Sequence, residues 1–199
     1  MWFHVQKKRT SIALFGGSFD PFHLGHLAVL RAAQQVDFLS YIIVMPAYVS
    51  PHKDKTVASA TDRFEMVKLA VSTLPPTPPI IVSDWEIQRD APTYTIDSVA
   101  EIKERYMPDE IYLILGSDSY ATLQSWHRAE DLIDQVKLMV IDRKTVPVSS
   151  TEIREKILKS ESIETLIPDV VGGYIGKMAL YKKEKAPQPP KGGGGFLFA

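Results

Sequence analysis

The chain has 199 residues, 45% of them hydrophobic and 24% charged, the balance of a globular domain long enough to bury a core. Its formal net charge of -1 argues against nucleic acid or an anionic membrane as a partner, since both attract strongly basic chains. Because the chain has no cysteine, disulfides, zinc–thiolate sites and cysteine nucleophiles are excluded. The sequence contains no signal peptide or membrane-span pattern, so we expect it in the cytoplasm.

Five short runs of consecutive apolar residues predict buried β-strands. Strands covered on both faces lack the polar–apolar alternation of half-exposed strands. The runs are Ser11–Phe15, Tyr41–Met45, Ile80–Ser83, Ile111–Leu115 and Lys137–Ile141.

Segments with helical periodicity or helix-capping residues alternate with these runs. The predicted helices are Leu24–Val36, Asp62–Ser72 with Asp62 and Glu65 as a capping pair, Ile96–Tyr106 capped by Thr95, Trp126–Asp134, and a helix from Ser149 to about Lys159. The alternation predicts a doubly wound, mostly parallel, five-stranded α/β sheet. Ligands of such sheets bind beyond the carboxyl ends of the strands, where the strand order reverses.

The composition also predicts where the domain ends. Residues 1–183 are expected to form a single domain, and residues 184–199 a flexible tail, because prolines followed by four glycines do not build a packed core. The apolar end, Phe196–Phe198, could dock a partner or could be an incidental terminus.

The segment Gly16–His26 follows the first strand and contains more candidate site residues than any other segment. Gly16 and Gly17 lack Cβ, so the backbone can turn sharply and phosphates can approach the amides. His23 and His26, three residues apart at a helix start, can donate hydrogen bonds to anionic oxygens. Two other interpretations stay open: the histidines could ligate a metal, although no third ligand is evident nearby, or the motif could be purely structural.

Gly16–His26 resembles the signature of the adenylyltransferases that carry a His-x-Gly-His motif. Together with later segments, the chain resembles the bacterial nicotinate-nucleotide adenylyltransferase family from about Ile12 to Tyr181. The first motif alone is shared with pantetheine-phosphate adenylyltransferases and related cytidylyltransferases. The resemblance implies an ATP site at the first turn, formed by Gly16, Gly17, Ser18, Phe19, His23 and His26.

The resemblance also implies residues for the acceptor substrate. Lys53, in a Pro-His-Lys triplet, is expected to lie over the phosphates, although a solvated lysine is the plain alternative. The segment Thr93–Tyr94–Thr95 is expected to offer backbone amides to the carboxylate of the nicotinate ring. Trp126 is expected to stack near that ring, although a tryptophan at helical spacing is more often a core residue.

Two further segments complete the implied ATP site. Gly116 permits close backbone approach, and Asp118 can cap a helix or accept a hydrogen bond from a ribose hydroxyl. Ser149, Ser150 and Thr151 open a helix, and Arg154, one turn on, can fork onto phosphate oxygens. The capping motif at Ser149 needs no ligand, so a structural role is the alternative.

The sequence therefore predicts transfer of AMP from ATP to nicotinate mononucleotide, with His23, His26, Lys53 and Arg154 as catalytic residues. Mg²⁺ is expected on the ATP phosphates, with no dedicated protein metal site. Nicotinamide mononucleotide or pantetheine phosphate as acceptor, a non-catalytic nucleotide-binding module, and a homo-oligomer remain open. One departure is that the family's Arg-Pro and longer excursion are replaced here by the short segment Asp142–Pro147, which puts an oligomer contact or lid made there in doubt.

Overall fold

The computed structural model describes residues 9–48, 57–89, 91–142 and 147–182. Within these ranges the strands are β1 (Ser11–Gly17), β2 (Tyr41–Pro46), β3 (Ile80–Val82), β4 (Glu110–Gly116) and β5 (Lys137–Ile141). All paired strands are parallel, and their order is β3-β2-β1-β4-β5. The predicted doubly wound, five-stranded α/β sheet is confirmed, and its strand order reverses between β1 and β4.

Helices lie between the strands and after the last strand in the described ranges. They are α1 (Leu24–Gln34), α2 (Ala60–Val71), α3 (Trp85–Gln88), α4 (Thr95–Tyr106), α5 (Ser117–Thr122), a 3₁₀ turn (Leu123–Ser125), α6 (Ala129–Ile133), α7 (Ser150–Leu158) and α8 (Asp169–Met178). In the part of the chain that the structure describes, no helix combines the length and apolar character needed to cross a membrane.

The sheet buries both of its faces, which explains why its strands are almost continuously apolar. Successive side chains of β1 point to opposite faces. Ala13 and Phe15 pack with α1, α2 and α8 in one core cluster. Ile12 and Leu14 pack with α4 and α6 in the other. The two layers of helices hold β1 rigidly in the centre, so the residues that follow its carboxyl end have a fixed position.

Two predicted helix caps are wrong. Helix α2 starts at Ala60, and its cap is Ser59, whose hydroxyl accepts a hydrogen bond from the Asp62 backbone N–H at 3.1 Å. Asp62 therefore lies inside the first turn. Helix α4 begins at Thr95 itself, because the Tyr94 N–H donates to the Asp97 carboxylate at 3.1 Å and Tyr94 occupies the cap position.

Two helical segments also differ from the prediction. The predicted helix Trp126–Asp134 is shortened to α6, because Trp126 has an extended backbone and Arg128 a left-handed one with φ of 53°. Helix α8 was not predicted, since Gly172, Gly173 and Gly176 lower its intrinsic helix propensity. Burial of its Val171 and Ile175 side chains against the core offsets that cost.

Candidate active site

A cavity of about 580 Å³ lies at the carboxyl edge of the sheet, where β1 and β4 are neighbours. Its walls come from the end of β1, the start of α1, the segment before α4, the start of α5 and the start of α7. This is the position at which a reversal of strand order leaves a crevice in open α/β sheets.

Most of the predicted site residues line this one cavity. They are Gly16, Gly17, Ser18, Phe19, His23, His26, Thr93, Tyr94, Thr95, Gly116, Asp118, Trp126, Ser149, Ser150 and Thr151. Arg154 does not line the cavity but lies one helical turn beyond Thr151. Lys53 lies outside the described residues, so its role stays a prediction.

The two glycines of the first motif do not form the turn that the sequence suggested. Gly16 and Gly17 are the last residues of β1, and neither has a positive φ. The left-handed residue is Phe19, with φ of 49°. An added Cβ on Gly17 would lie 2.9 Å from the Phe19 ring, whereas one on Gly16 would meet nothing within 4 Å. Gly17 thus makes room for Phe19, whereas a Cβ on Gly16, which lines the cavity, would meet no other group.

His23 and His26 cap helix α1 reciprocally. The His26 N–H donates to His23 Nδ1 and the His23 N–H donates to His26 Nδ1, both at 3.3 Å. The two rings stack with their centroids 3.6 Å apart. A neutral imidazole that accepts at Nδ1 carries its proton on Nε2, so these caps fix the tautomer in which Nε2 is a donor.

The surrounding packing fixes the orientation of both imidazoles. The Phe19 and Phe22 rings lie 5.0 and 5.2 Å from the His26 ring. On the other side, a Cβ at Gly25 would approach His23 Nδ1 to 3.0 Å and the Val148 side chain to 3.2 Å. The glycine of the His-x-Gly-His motif therefore provides space for the His23 ring and for the segment that leads into α7.

The starts of α1 and α7 lie directly against each other. Ser149 caps α7 by accepting from the Glu152 N–H at 3.1 Å. The Ser150 hydroxyl donates to the Pro21 carbonyl at 3.0 Å. Because the positive ends of both helix dipoles meet here, the two helix starts together form an anion-attracting wall.

Arg154 extends from α7 to the first turn. Its Nη1 donates to the Asp20 carbonyl at 2.7 Å, and its Nη2 donates to the Thr151 hydroxyl at 3.2 Å. Nη1 also lies 4.0 Å from the Asp20 carboxylate. The side chain is 24% exposed. These contacts hold the guanidinium beside the cavity wall without burying it.

A buried polar network supports the turn that follows β1. Sequence inspection did not detect this network. The Asp20 carboxylate accepts from the Val57 N–H at 2.7 Å, the Ala58 N–H at 3.1 Å and the Tyr181 hydroxyl at 2.8 Å. Arg63, which is fully buried, donates to three backbone carbonyls at 2.7 to 3.4 Å, namely those of Ser18, Tyr48 and Ala58. Burial lowers the pKa of Arg63, and the neighbouring Asp20 charge opposes that change.

Aromatic side chains gather at the end of the cavity formed by the α4 segment. The Tyr94 ring stacks on His127 with a centroid distance of 4.1 Å, and both rings line the cavity. Trp126 lines it as well and also packs against the second core cluster. The core and platform interpretations of Trp126 are thus compatible, because the residue both lines the cavity and packs against the core.

Glu86, on α3, was not identified from the sequence. Its side chain is only 6% exposed, yet it lines the cavity. The Ser98 hydroxyl donates to Oε1 at 2.6 Å. Burial raises the pKa of Glu86 from its ordinary value of 4.5 to about 7. A single acidic residue in a short helix gives no periodic signal, so only the tertiary structure reveals it.

Comparison with known proteins agrees with this geometry. A family model described as cytidylyltransferase-like matches residues 14–156. A protein of Hydrogenobaculum sp. (strain Y04AAS1) named "Probable nicotinate-nucleotide adenylyltransferase" is 38% identical over 190 residues, covering 86% of this chain and 98% of the relative. A Thermus thermophilus protein with the same name is 36% identical over 188 residues, covering 86% and 99% of the two chains.

The fold also matches a solved structure. It superposes on Plasmodium falciparum nicotinic acid mononucleotide adenylyltransferase complexed with NaAD with a TM-score of 0.73, at 23% identity, over 86% of this chain and 97% of that one. At this identity the match supports the fold. The family model covers most of the chain, and the relatives match over nearly their whole length. The chain therefore belongs to the nicotinate-nucleotide adenylyltransferases, within the cytidylyltransferase-like family.

Proposed function

We propose that the chain transfers the AMP part of ATP to nicotinate mononucleotide, giving nicotinate adenine dinucleotide and pyrophosphate, a step of NAD biosynthesis. The observation that carries the proposal is the shared cavity. The starts of α1 and α7, which suit a polyphosphate, and the segment Thr93–Thr95, which suits the acceptor, all line the same space.

The chemistry needs no covalent intermediate on the protein. An oxygen of the acceptor's phosphate attacks the α-phosphorus of ATP, and the bond from that phosphorus to the oxygen bridging to the β-phosphorus breaks. Pyrophosphate leaves with the electron pair of that bond. Because the attacking phosphate is already anionic, the work of the protein is to align the two phosphates and to stabilise the charge that develops.

On the ATP side, donors converge from three directions. His23 and His26 present Nε2–H groups fixed by their reciprocal caps. The first turn of α7 adds backbone donors from Ser150 and Thr151 and the hydroxyls of Ser149 and Thr151, while the Ser150 hydroxyl is engaged with Pro21. Arg154 is held beside them through Asp20. Lys53 is proposed as a further cation on the phosphates, from the sequence alone. Gly16, Gly17, Ser18, Phe19, Gly116 and Asp118 complete this side of the site.

On the acceptor side, the backbone of Thr93–Thr95 would bind the ring carboxylate, and Trp126 would offer a face to the ring. The Thr93 hydroxyl donates to the Ala91 carbonyl at 3.2 Å, so it is engaged within the protein. This fits recognition through backbone groups rather than through the Thr93 side chain.

We further propose that Mg²⁺ arrives on the ATP phosphates and that the reaction takes place in the cytoplasm. The described residues contain no group of three or more His, Asp or Glu side chains that could hold a metal ion. Phosphate oxygens and water are common ligands of Mg²⁺ in nucleotide-transfer sites. When bound, the ion neutralises part of the phosphate charge.

A pyrophosphate-release assay with several acceptors tests the proposal. The full-length chain is mixed with ATP, Mg²⁺ and either nicotinate mononucleotide, nicotinamide mononucleotide or pantetheine phosphate, and the adenylylated product is identified by mass. We expect the highest kcat/KM with nicotinate mononucleotide. A clear preference for pantetheine phosphate would overturn the assigned acceptor, and ATP binding without any adenylylated product would favour a non-catalytic binding module.

A further inference from the structure

Glu86 is a buried acid in the wall of the proposed acceptor end of the cavity. Its partner Ser98 lies on α4, and the Ser98 N–H in turn donates to the Tyr94 carbonyl at 3.3 Å. Through Ser98, the carboxyl is therefore linked by two hydrogen bonds to Tyr94, in the segment Thr93–Thr95. This placement brings it into the region proposed for the pyridine ring and its substituent.

The two oxygens of this carboxyl have different surroundings. Oε1 accepts from Ser98, whereas Oε2 has no hydrogen-bond partner among the described residues. No buried side-chain nitrogen or oxygen in the described ranges lacks a partner. An Oε2 without a protein partner must therefore reach accessible space. Glu86 lines the cavity, and we assign the accessible side of its carboxyl to that space.

The burial of Glu86 and the charges around it allow its carboxyl to gain or lose a proton near neutral pH. Burial raises the pKa of this carboxyl to about 7, and the Asp97 charge on α4 raises it further. The Ser98 hydrogen bond lowers it, as do the charges of Arg63 on α2 and Arg89 at the end of α3. The other titratable side chains of the described cavity wall are His23, His26, Tyr94, Asp118 and His127.

We propose that Glu86 is a specificity-determining residue, which distinguishes a carboxylate from a carboxamide on the acceptor's ring by its own protonation state. As a neutral acid, Glu86 donates its Oε2–H to a ring carboxylate. As an anion it repels that carboxylate and accepts a hydrogen bond from a carboxamide N–H instead. The inference rests on the proposed function, since it assigns this end of the cavity to the acceptor.

The test compares two acceptors across pH. The ratio of kcat/KM for nicotinate mononucleotide to kcat/KM for nicotinamide mononucleotide is measured from pH 6 to pH 8. Both acceptors carry the same 5′-phosphate, so its titration cancels in the ratio. With a carboxyl that titrates near pH 7, the neutral fraction falls about tenfold between these limits while the anionic fraction rises about tenfold, so the wild-type ratio is expected to fall about 100-fold.

Variants separate this role from a structural one. In Glu86→Gln, a neutral isostere with N–H donors at every pH, the ratio is expected to be constant. Glu104→Gln, on the exposed surface of α4, is the matched control and should follow the wild type. Ser98→Ala removes a hydrogen bond that favours the anion, so the midpoint of the fall should move to higher pH.

The outcomes are distinguishable. A ratio that falls in the wild type, is flat in Glu86→Gln and shifts upward in pH in Ser98→Ala supports the role of Glu86. Turnover of nicotinate mononucleotide with a flat wild-type ratio, or the same fall in Glu86→Gln, overturns this inference alone. Absence of turnover with both acceptors at every pH contradicts the proposed function and this inference with it.

Discussion

Arg154 on α7 donates a hydrogen bond from Nη1 to the backbone carbonyl of Asp20, 2.7 Å away, and so joins segments that are 134 residues apart in the chain. This bond places a guanidinium next to the turn that carries the paired histidines. The same bond makes the position of α7 depend on the turn that follows β1. The proposed chemistry requires both, because a triphosphate must contact the two helix starts together.

Replacing Arg154 by lysine tests the fork geometry of the guanidinium. Lysine keeps the charge but replaces the planar fork of N–H donors by a compact ammonium, which cannot reproduce the geometry of the contacts to Asp20, Thr151 and a phosphate oxygen. A charge-assisted hydrogen bond contributes about 1.5–3 kcal/mol, so we expect kcat/KM for ATP to fall about 10- to 100-fold. Arg105→Lys, at an exposed site on α4, serves as the control. An Arg154→Lys enzyme with unchanged kcat/KM would show that the guanidinium does not contact ATP.

Replacing His26 separates capping from chemistry. His26→Ala removes both the side-chain cap and the Nε2 donor, whereas His26→Asn retains a cap acceptor at the third helical position. Loss of one placed donor to a developing charge typically lowers the rate by about 10²–10³-fold. We expect both variants to lose turnover on this scale, with the alanine variant also less stable. If kcat of both stays near the wild-type value, the histidine is only a cap.

Gly25→Ala probes the space between His23 and α7. The new Cβ would lie 3.0 Å from the His23 ring and 3.2 Å from Val148, so the ring must shift by a few tenths of an ångström. Small errors in donor position are costly in transition-state contacts, and we expect kcat to fall at least about tenfold. Stability should fall by about 1–3 kcal/mol from overpacking.

Gly173→Ala on α8 is the matched control for that substitution. Its Cβ would meet nothing within 4 Å, so alanine should raise the free energy of unfolding by about 0.5–1 kcal/mol and leave kcat unchanged. Steady-state kinetics and urea unfolding of both variants make the comparison. Equal kcat values for the two alanine variants would contradict the assigned role of Gly25.

Arg63→Met tests the buried network behind the first turn. The methionine leaves three backbone carbonyls without their donor and removes the positive charge near Asp20, and breaking a buried charged network typically costs about 3–5 kcal/mol. Urea unfolding should show a loss of this size. Arg31→Met, on the exposed side of α1, should change the free energy of unfolding by less than about 0.5 kcal/mol. Similar effects of the two substitutions would exclude a structural role for Arg63.

Glu86 also makes folding stability depend on pH. Its pKa is about 7 in the folded chain, above the ordinary 4.5 that we assume for the unfolded chain. Between these values the folded state binds more protons, so stability falls as pH rises from about 4.5 to 7 and then levels off. The difference in free energy of unfolding between wild type and Glu86→Gln should change by up to about 3 kcal/mol over this window. A pH-independent difference would contradict the raised pKa.

Several features of the fold could be predicted from local sequence because they depend on local physics. The core strands are continuously apolar, and Ser149 lies four residues before an inward-facing Ile153, so both signals stand out. Helix α8 could not be predicted from propensity, because its three glycines are tolerated only through burial of Val171 and Ile175. The caps of α2 and α4 were missed by one to three residues, since several polar residues near each start could accept the first N–H.

The candidate active site also combines features that local sequence predicts with features that depend on tertiary contacts. The residue types of the histidine and serine motifs predicted an anion site, and the structure brings most of the predicted residues to one cavity. The reciprocal histidine caps, the Arg63–Asp20 network and the buried Glu86 depend on contacts between distant segments. No sequence periodicity encodes them, so only the tertiary structure shows which groups are buried together.

The most direct test of the central claim is the structure of the chain with Mg²⁺ and an ATP analogue whose α–β bridge is methylene. We predict that His26 Nε2 and the Arg154 guanidinium both lie within about 3 Å of phosphate oxygens of the same nucleotide, the distance of a charge-assisted hydrogen bond. A nucleotide whose phosphates contact only one of these residues, or lie outside the cavity between β1 and β4, would contradict it.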